Sequence, residues 1–320
     1  MSAKVYFSLE SAHANFSPCA LTIGNFDGVH RGHQALLKAT CEYARERRGR
    51  LRPAVLTFHP HPAVFVAPER VPELICGLDE RVQLLIDAGA ERILVLPFND
   101  RLARFSPEEF VSRILTQGLQ AQAIFVGENF RFGHKQAGTT RTLTELGQTH
   151  RFKAFFLAPV RYRGKVVSSS AIRQNIAAGN VAFAGRLLNR CFSLQGDVVK
   201  GHGIGSRETV PTLNIKPPEG QIVPRGVYIT QTLEPSTGRT WPSITNSGTR
   251  PTFDGVELTV ETFLLAPLGG APPQHIQLQF RRFLRPEQHF PDPAALKTQI
   301  FRDVARANTF WRRLSKAAAW

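Results

Sequence analysis

IGNFDGVHRGH, residues 23–33, closes an apolar run and opens an amphipathic one. The residues before it, ALTIG (20–24), read as a short buried strand that leaves on a glycine. Those after it, GHQALLKATCEYARERRG (32–49), carry apolar side chains at helical spacing. They end on a basic turn and a glycine, as helices do. Strand, glycine-rich turn and helix in that order begin a parallel α/β sheet. Gly24 permits a tight exit from the strand, while Gly28 and Gly32 let backbone approach a ligand. The helix start directs free N–H groups and a positive dipole end into the same space, which suits a phosphate. His30 and His33 add two donors, and Asp27 shares the turn. The spacing favours a site that grips a triphosphate by position and positive potential, without a protein nucleophile. Zinc is the rival, because His-x-x-His ligates metal. His59 and His61, in HPHP (59–62) at a second strand end, would complete a four-histidine set.

The alternation continues. PAVLTF (53–58), RILVLPF (92–98), AIFVG (123–127) and FKAFFLAPV (152–160) read as strands, and DERVQLLIDAGA (79–90) as a helix. Ser106-Pro107-Glu108-Glu109 is a capping box with proline at the first helical position. Apolar strands between amphipathic helices predict a doubly wound, mostly parallel sheet, with ligands at the carboxyl ends of its strands. GNFDGVHRGH, HPHP and GENFRFGHKQAG (127–138) all fall there. Near residue 190 the texture changes to short alternating segments, such as GVYITQTL (226–233) and VELTVETFLL (256–265), between Gly/Pro/Asn-rich turns. Those predict an antiparallel barrel or sandwich. DPAALKTQIFRDVARANTFWRRL (292–314) closes the chain as a long amphipathic helix. The expected division is 1–186 and 187–320.

The 320 residues are 42% hydrophobic and 20% charged, which is ordinary for a globular protein with room for two cores. No apolar run is long enough to span a bilayer and the start lacks a signal-peptide pattern, so a cytoplasmic protein with no membrane partner is expected. Cys19, Cys41, Cys76 and Cys191 are scattered and read as core thiols. The net charge of +15 attracts polyanions: nucleic acid, anionic lipid or phosphorylated small molecules. Part of it is local, with nine Lys/Arg against three Asp/Glu in 281–320.

Two further stretches carry chemistry. In SSSAIRQNI (168–176) the serines suit a helix cap, and Arg173 on the first turn suits a triphosphate clamp. In GENFRFGHKQAG, Asn129 offers an amide, and Phe130 and Phe132 alternate with Arg131; a flat ring or the core can take such phenylalanines. GDVVKGHGIGSRETVPTLNI (196–215) places Gly201, Gly203 and Gly205 before Pro-Thr-x-Asn. A flexible loop followed by a hydroxyl and an amide suits a magnesium-bound nucleotide, although a glycine-rich hairpin loop has the same look.

GNFDGVHRGH resembles the HxGH signature of the nucleotidylyltransferase superfamily. More narrowly, it is similar to the bifunctional bacterial riboflavin kinase/FAD synthetase family. LTFHPHP (56–62), VGENFRFGHKQAG (126–138), VVSSSAIR (166–173), PTLN (211–214), ITNSGTRPTFDG (244–255) and LTVETFLL (258–265) follow in the family's order. The resemblance implies an N-terminal nucleotidylyltransferase domain that adenylylates FMN to FAD, and a C-terminal β-barrel that phosphorylates riboflavin with ATP and Mg²⁺. It implies that His30 and His33 stabilise the transferring phosphoryl and that Glu261 is the base on the ribityl hydroxyl. Thr212 and Asn214 would hold Mg²⁺ and phosphates under the loop of Gly201, Gly203 and Gly205. Phe26, Asp27, Asn129, Ser169, Arg173 and Arg250 would bind ATP or flavin. Riboflavin, FMN and ATP would be the partners, with no nucleic acid.

The chain departs from the family pattern in the barrel half. Glu208-Thr209-Val210 precedes Pro211 where Leu-Gly-Phe is usual, Ile204 replaces an arginine, and Ala266 an aspartate. His59 stands where an acidic residue is common. Three other readings remain at this level: a flavin-binding transferase with a decayed kinase, an RNA- or tRNA-binding protein, and a metal-dependent hydrolase. Against the second, HxGH is accompanied by no KMSKS-like loop, only LSK at 314–316.

Overall fold

A computed structural model describes residues 3–13, 15–16, 18–47, 49–199, 212–252 and 255–318. It divides into two compact units, Met1–Ser169 and Ser170–Trp320.

The first unit is built on six parallel strands: β1 (Lys4–Tyr6), β2 (Cys19–Ile23), β3 (Arg52–His59), β4 (Arg92–Pro97), β5 (Ala121–Gly127) and β6 (Lys153–Leu157). β2 is buried at every residue, the pattern of a strand covered on both faces. Alternate side chains feed different cores. Leu21, Ile23, Leu56 and Ile124 join Val111, Ile114 and Leu115 on one face. Val55, Ile93 and Val95 join Phe26, Val29, Leu37 and Leu85 on the other. The spatial order is β1-β4-β3-β2-β5-β6. β3 and β4 are therefore laid down on one side of β2, and β5 and β6 on the other. The winding reverses between β2 and β5, and the crevice at such a reversal is where these sheets bind ligands.

The second unit is a closed antiparallel barrel of β9 (Phe192–Val199), β10 (Thr212–Lys216), β11 (Gly226–Leu233), β12 (Thr240–Thr252), β13 (Gly255–Leu264) and β14 (His275–Arg285), in the order β10-β13-β12-β11-β14-β9. The intervening β7 (Arg161–Tyr162) and β8 (Lys165–Val166) form a small hairpin. Closure leaves no unpaired edge. Part of the barrel's buried face is polar but neutral. Thr232 donates to Ser243, Ser243 and Thr245 each bond Thr230, and Thr245 donates to Thr262, at 2.7–3.0 Å. Each hydroxyl has a partner, so its burial is not penalised. The other face of β11 and β12 lies under the terminal helix Pro293–Ala318, where Val227, Ile229 and Ile244 pack with Ala307, Phe310 and Trp311. A buried pair, Arg285 Nε to Asp303 Oδ2 at 2.9 Å, fastens that helix to β14.

The compact units divide at 169/170, earlier than the expected division at 186/187. The helices Ser169–Ala177 and Val181–Leu188 account for the difference, since the second packs on β9 and β14. All four cysteines are free, with Cys19 and Cys76 buried. Among the described residues no helix is long and apolar enough to cross a membrane.

Candidate active sites

The turn after β2 sits at the winding reversal, and its backbone is unusual. Phe26, Gly28 and Val29 all have positive φ, at 50°, 79° and 36°. Glycine is required at 28 on two counts: its φ, and a Cβ there would stand 2.9 Å from Ile75 Cγ2. Asp27 is buried, and its Oδ1 accepts from the N–H of Ile75 at 2.9 Å and of Cys76 at 3.4 Å. Its backbone oxygen accepts from Ser169 Oγ at 3.0 Å. Asp27 and Ser169 therefore hold the turn in shape.

The turn delivers two stacked imidazoles to the start of the helix Arg31–Glu46. The rings of His30 and His33 lie 3.6 Å apart and nearly parallel, at 13°. His30 is the N-cap: its Nδ1 accepts from the His33 N–H at 3.3 Å. One helix N–H expected to be free is thus taken by the histidine itself. Gly32 makes room for that ring rather than for a ligand, since a Cβ there would meet His30 Cε1 at 3.1 Å. His33 Nδ1 is buried and has no hydrogen-bond partner. Burial, then the positive neighbours His30 and Arg81, hold the His33 pKa well below the usual histidine range, so the ring is neutral.

Phe26 takes a different role from the one the resemblance implies. Its ring is completely buried, edge-on to His33 with centroids 5.0 Å apart. It props the histidine and offers no face to a ligand. Phe132 is buried in the first core, and Phe130, stacked on it, is only partly buried. Asn129 is exposed in the loop after β5, the strand that flanks the reversal opposite β3. Arg173 lies half-buried on the helix Ser169–Ala177.

The four-histidine zinc set does not form. Among the described residues no three His, Cys, Asp or Glu side chains are grouped to hold a metal ion. His61 instead bonds Asn25 at 3.1 Å through Nε2 and accepts from the Ala63 N–H at 3.2 Å through Nδ1.

In the barrel, the register sets Asn214 on β10, Glu261 on β13 and Asn246 on β12 in one row. Residues directly opposite on neighbouring strands share a face, with Cβ atoms about 5 Å apart. This row lies on the opposite face from the buried Val260 and Thr262, and its three members are partly exposed. Thr212, two residues before Asn214, shares that face and is exposed. A hydroxyl and an amide oxygen beside a carboxylate form a hard-oxygen donor set, which fits Mg²⁺. Arg250 is placed by its backbone on β12, opposite Glu257. Gly201, Gly203, Gly205 and the departures Ile204 and Glu208-Thr209-Val210 lie outside the described residues.

Comparison with known proteins agrees with this two-part layout. The FAD synthetase family model matches residues 12–171 and the riboflavin kinase model matches 188–311. A bifunctional riboflavin kinase/FMN adenylyltransferase of Escherichia coli strain K12 is 35% identical over 92% of this chain and 93% of its own length. One from Pseudomonas fluorescens is 37% identical over 90% of this chain and 92% of its own. The chain belongs to the bifunctional riboflavin kinase/FMN adenylyltransferase family. A solved structure described as a macrolide-efflux protein from Streptococcus pneumoniae has the same fold, with a TM-score of 0.85 at 24% identity, covering 96% of this chain and 99% of that one.

Within that family assignment, two residues stand out that the sequence reading passed over. Arg81 is a fully buried cation beneath the first site. Its signal was its place on the apolar face of the helix Leu78–Asp87, one turn from Leu85. Asn246 completes the barrel row with a buried, unpartnered Oδ1. Only the register of the β12–β13 hairpin reveals it.

Proposed function

We propose that the barrel phosphorylates riboflavin with ATP and that the parallel-sheet unit transfers AMP from a second ATP to the FMN, releasing pyrophosphate. The observation that carries the second step is the pair of stacked imidazoles at a helix mouth in the sheet's crevice, with the His33 Nδ1 left unpartnered. A phosphate oxygen of FMN attacks the α-phosphorus of ATP in line, and no protein nucleophile is required. His33, held neutral, keeps a ring N–H for a phosphoryl oxygen. His30 fixes the helix start beside it. Arg173 grips the triphosphate and Asn129 the flavin. Asp27 and Ser169 keep the turn rigid, so the donors pay little reorganisation during transfer.

In the barrel, Glu261 accepts the proton of the riboflavin hydroxyl as that oxygen takes the γ-phosphoryl group. Thr212 and Asn214 would hold Mg²⁺, whose charge neutralises the phosphates when it is bound. The glycine loop and Arg250 contribute to nucleotide and flavin binding. The positive charge of the chain serves these polyphosphates rather than nucleic acid, and an ATP-consuming pair of reactions belongs in the cytoplasm.

The test is direct. The protein is incubated with riboflavin, ATP and Mg²⁺, and the flavins are separated by chromatography. The wild type forms FMN and then FAD. His33→Ala accumulates FMN and forms FAD about 10²-fold or more slowly, the cost of losing one preorganised donor. Undiminished FAD formation by that variant removes the histidine from its role.

A further inference from the structure

Arg81 is a cation buried without an anion. It is 1% exposed and heads the fully buried side chains by size. Its Nη1 donates to Asn25 O at 3.2 Å and to Phe58 O at 3.1 Å. Its Nε is buried with no hydrogen-bond partner. Among the described residues no carboxylate is within ion-pair distance of it. Two carbonyl dipoles do not replace a counter-ion, and a guanidinium taken out of water without one is costly to a fold.

The position of this cost is informative. Asn25 begins the turn after β2, and Phe58 lies at the end of the neighbouring β3. The guanidinium thus joins the exits of two adjacent strands, directly below the turn that carries His30 and His33. Its field reaches both His33 and His59, whose pKa values it helps to depress. A fixed positive charge in a low-dielectric wall acts on an anion in the adjoining crevice without touching it.

We propose that Arg81 is a positioning residue for adenylyl transfer: a built-in cation whose counter-charge is the triphosphate of ATP, and which locks the β2 and β3 exits around it. This rests on the reading that the triphosphate lies at His30 and His33. It makes the pocket incomplete until the nucleotide arrives, so ATP affinity draws on a cost the fold has already borne. The phosphate of FMN, which meets the α-phosphorus, feels the same field but carries less charge than the triphosphate and gains less from it.

Three variants of the full chain test this: Arg81→Met, Arg81→Lys and His33→Ala. For each, KM and kcat for FAD formation are measured against ATP and against FMN, ATP binding is measured by calorimetry, and riboflavin phosphorylation serves as the folding control. Arg81→Met is expected to raise the KM and Kd for ATP by about 10- to 100-fold, with a smaller rise in KM for FMN, whose phosphate carries less charge. Arg81→Lys, which keeps the charge and loses the forked geometry, is expected to recover most of the ATP affinity. A folded Arg81→Met with wild-type KM for ATP overturns the proposal. So does a folded Arg81→Lys that binds ATP as poorly as Arg81→Met, which would make the carbonyl bridges, and not the charge, the reason for the residue. Should Arg81→Met not fold, Arg81→Lys decides alone: ATP affinity near wild type supports the proposal, and its loss overturns it. If His33→Ala leaves FAD formation intact, the nucleotide lies elsewhere and both readings fall. If His33→Ala loses it while Arg81→Met keeps wild-type ATP affinity, only the role of Arg81 falls.

Discussion

The two sites are held in place by different means. In the first unit the imidazoles to which we assign the chemistry hang on one short turn, and that turn is fixed by buried polar contacts: Asp27 to Ile75 and Cys76, Ser169 to Asp27, Arg81 to Asn25. In the barrel the side chains to which we assign the chemistry stand in a row across three strands, Asn214, Glu261 and Asn246, and strand register alone aligns them. The first device suits a reaction that needs only positioned donors and potential. The second suits one that needs a base near a metal-bound phosphate, because a ladder fixes the spacing of a carboxylate and two amides. Buried polarity differs accordingly. The barrel satisfies its buried hydroxyls among themselves and leaves a neutral amide oxygen, Asn246 Oδ1, unpartnered in its row, whereas the sheet unit keeps an unpartnered nitrogen of a cation, Arg81 Nε, and an unpartnered His33 Nδ1 at its crevice.

The sharpest way to break this division is at Glu261. Glu261→Gln keeps the shape of the row and removes the proposed base. FMN formation from riboflavin is expected to fall by about 10²- to 10⁴-fold. FAD formation from supplied FMN is expected to stay at the wild-type rate. Chromatography with either flavin as the starting material separates the two outcomes. An equal loss in both reactions would mean that the sites are not independent. A smaller effect is expected in the first unit from Gly28→Ala. The positive φ and the contact with Ile75 together cost about 1–3 kcal/mol, read as a lower denaturant midpoint, and FAD formation falls while FMN formation persists. If Gly28→Ala leaves both midpoint and FAD formation unchanged, the turn is not the rigid element described above.

This contrast also marks what the sequence made legible. Parallel strands covered on both faces are continuous apolar runs, so β2 to β5 stood out. The box at Ser106 gave the start of its helix, with both reciprocal bonds present at 3.1 Å. It did not give the wider π-helical winding of Phe110–Gly118 that follows. The HxGH turn was legible because its chemistry is local: glycines, imidazoles and a helix start within eleven residues. Nothing local announced that His30 would spend a ring nitrogen on the helix, or that Phe26 would turn inward. The barrel row was half legible. Glu261 alternates like any outward residue, and only the register with β12, the preceding strand, and with β10, far off in sequence, gives it neighbours. Arg81 was legible as an anomaly, a charge on an apolar helical face, but its purpose required the strand exits it bridges.

The smallest effect is expected from acid, and it distinguishes the sites without altering the shape of either. Burial and the nearby positive groups lower the His33 pKa below the usual value near 6.5. Above that value the ring is neutral whether the chain is folded or not, and contributes no pH dependence. As pH falls through it, the unfolded chain takes up a proton that the folded chain refuses, so stability declines with acidification. His59, lowered by burial and by Arg81, acts in the same sense. Denaturant unfolding at pH 7.5 and pH 5.5 should therefore show a smaller drop for His33→Gln than for the wild type. FAD formation should hold its rate through the ordinary histidine range, because the donor is already in the neutral form the site needs. A rate that falls with an apparent pKa near 6.5, together with an unchanged stability slope in His33→Gln, would show His33 titrating as a surface histidine does. The crevice would then be open and hydrated like the barrel row, and the contrast between a buried turn and an exposed ladder would no longer hold.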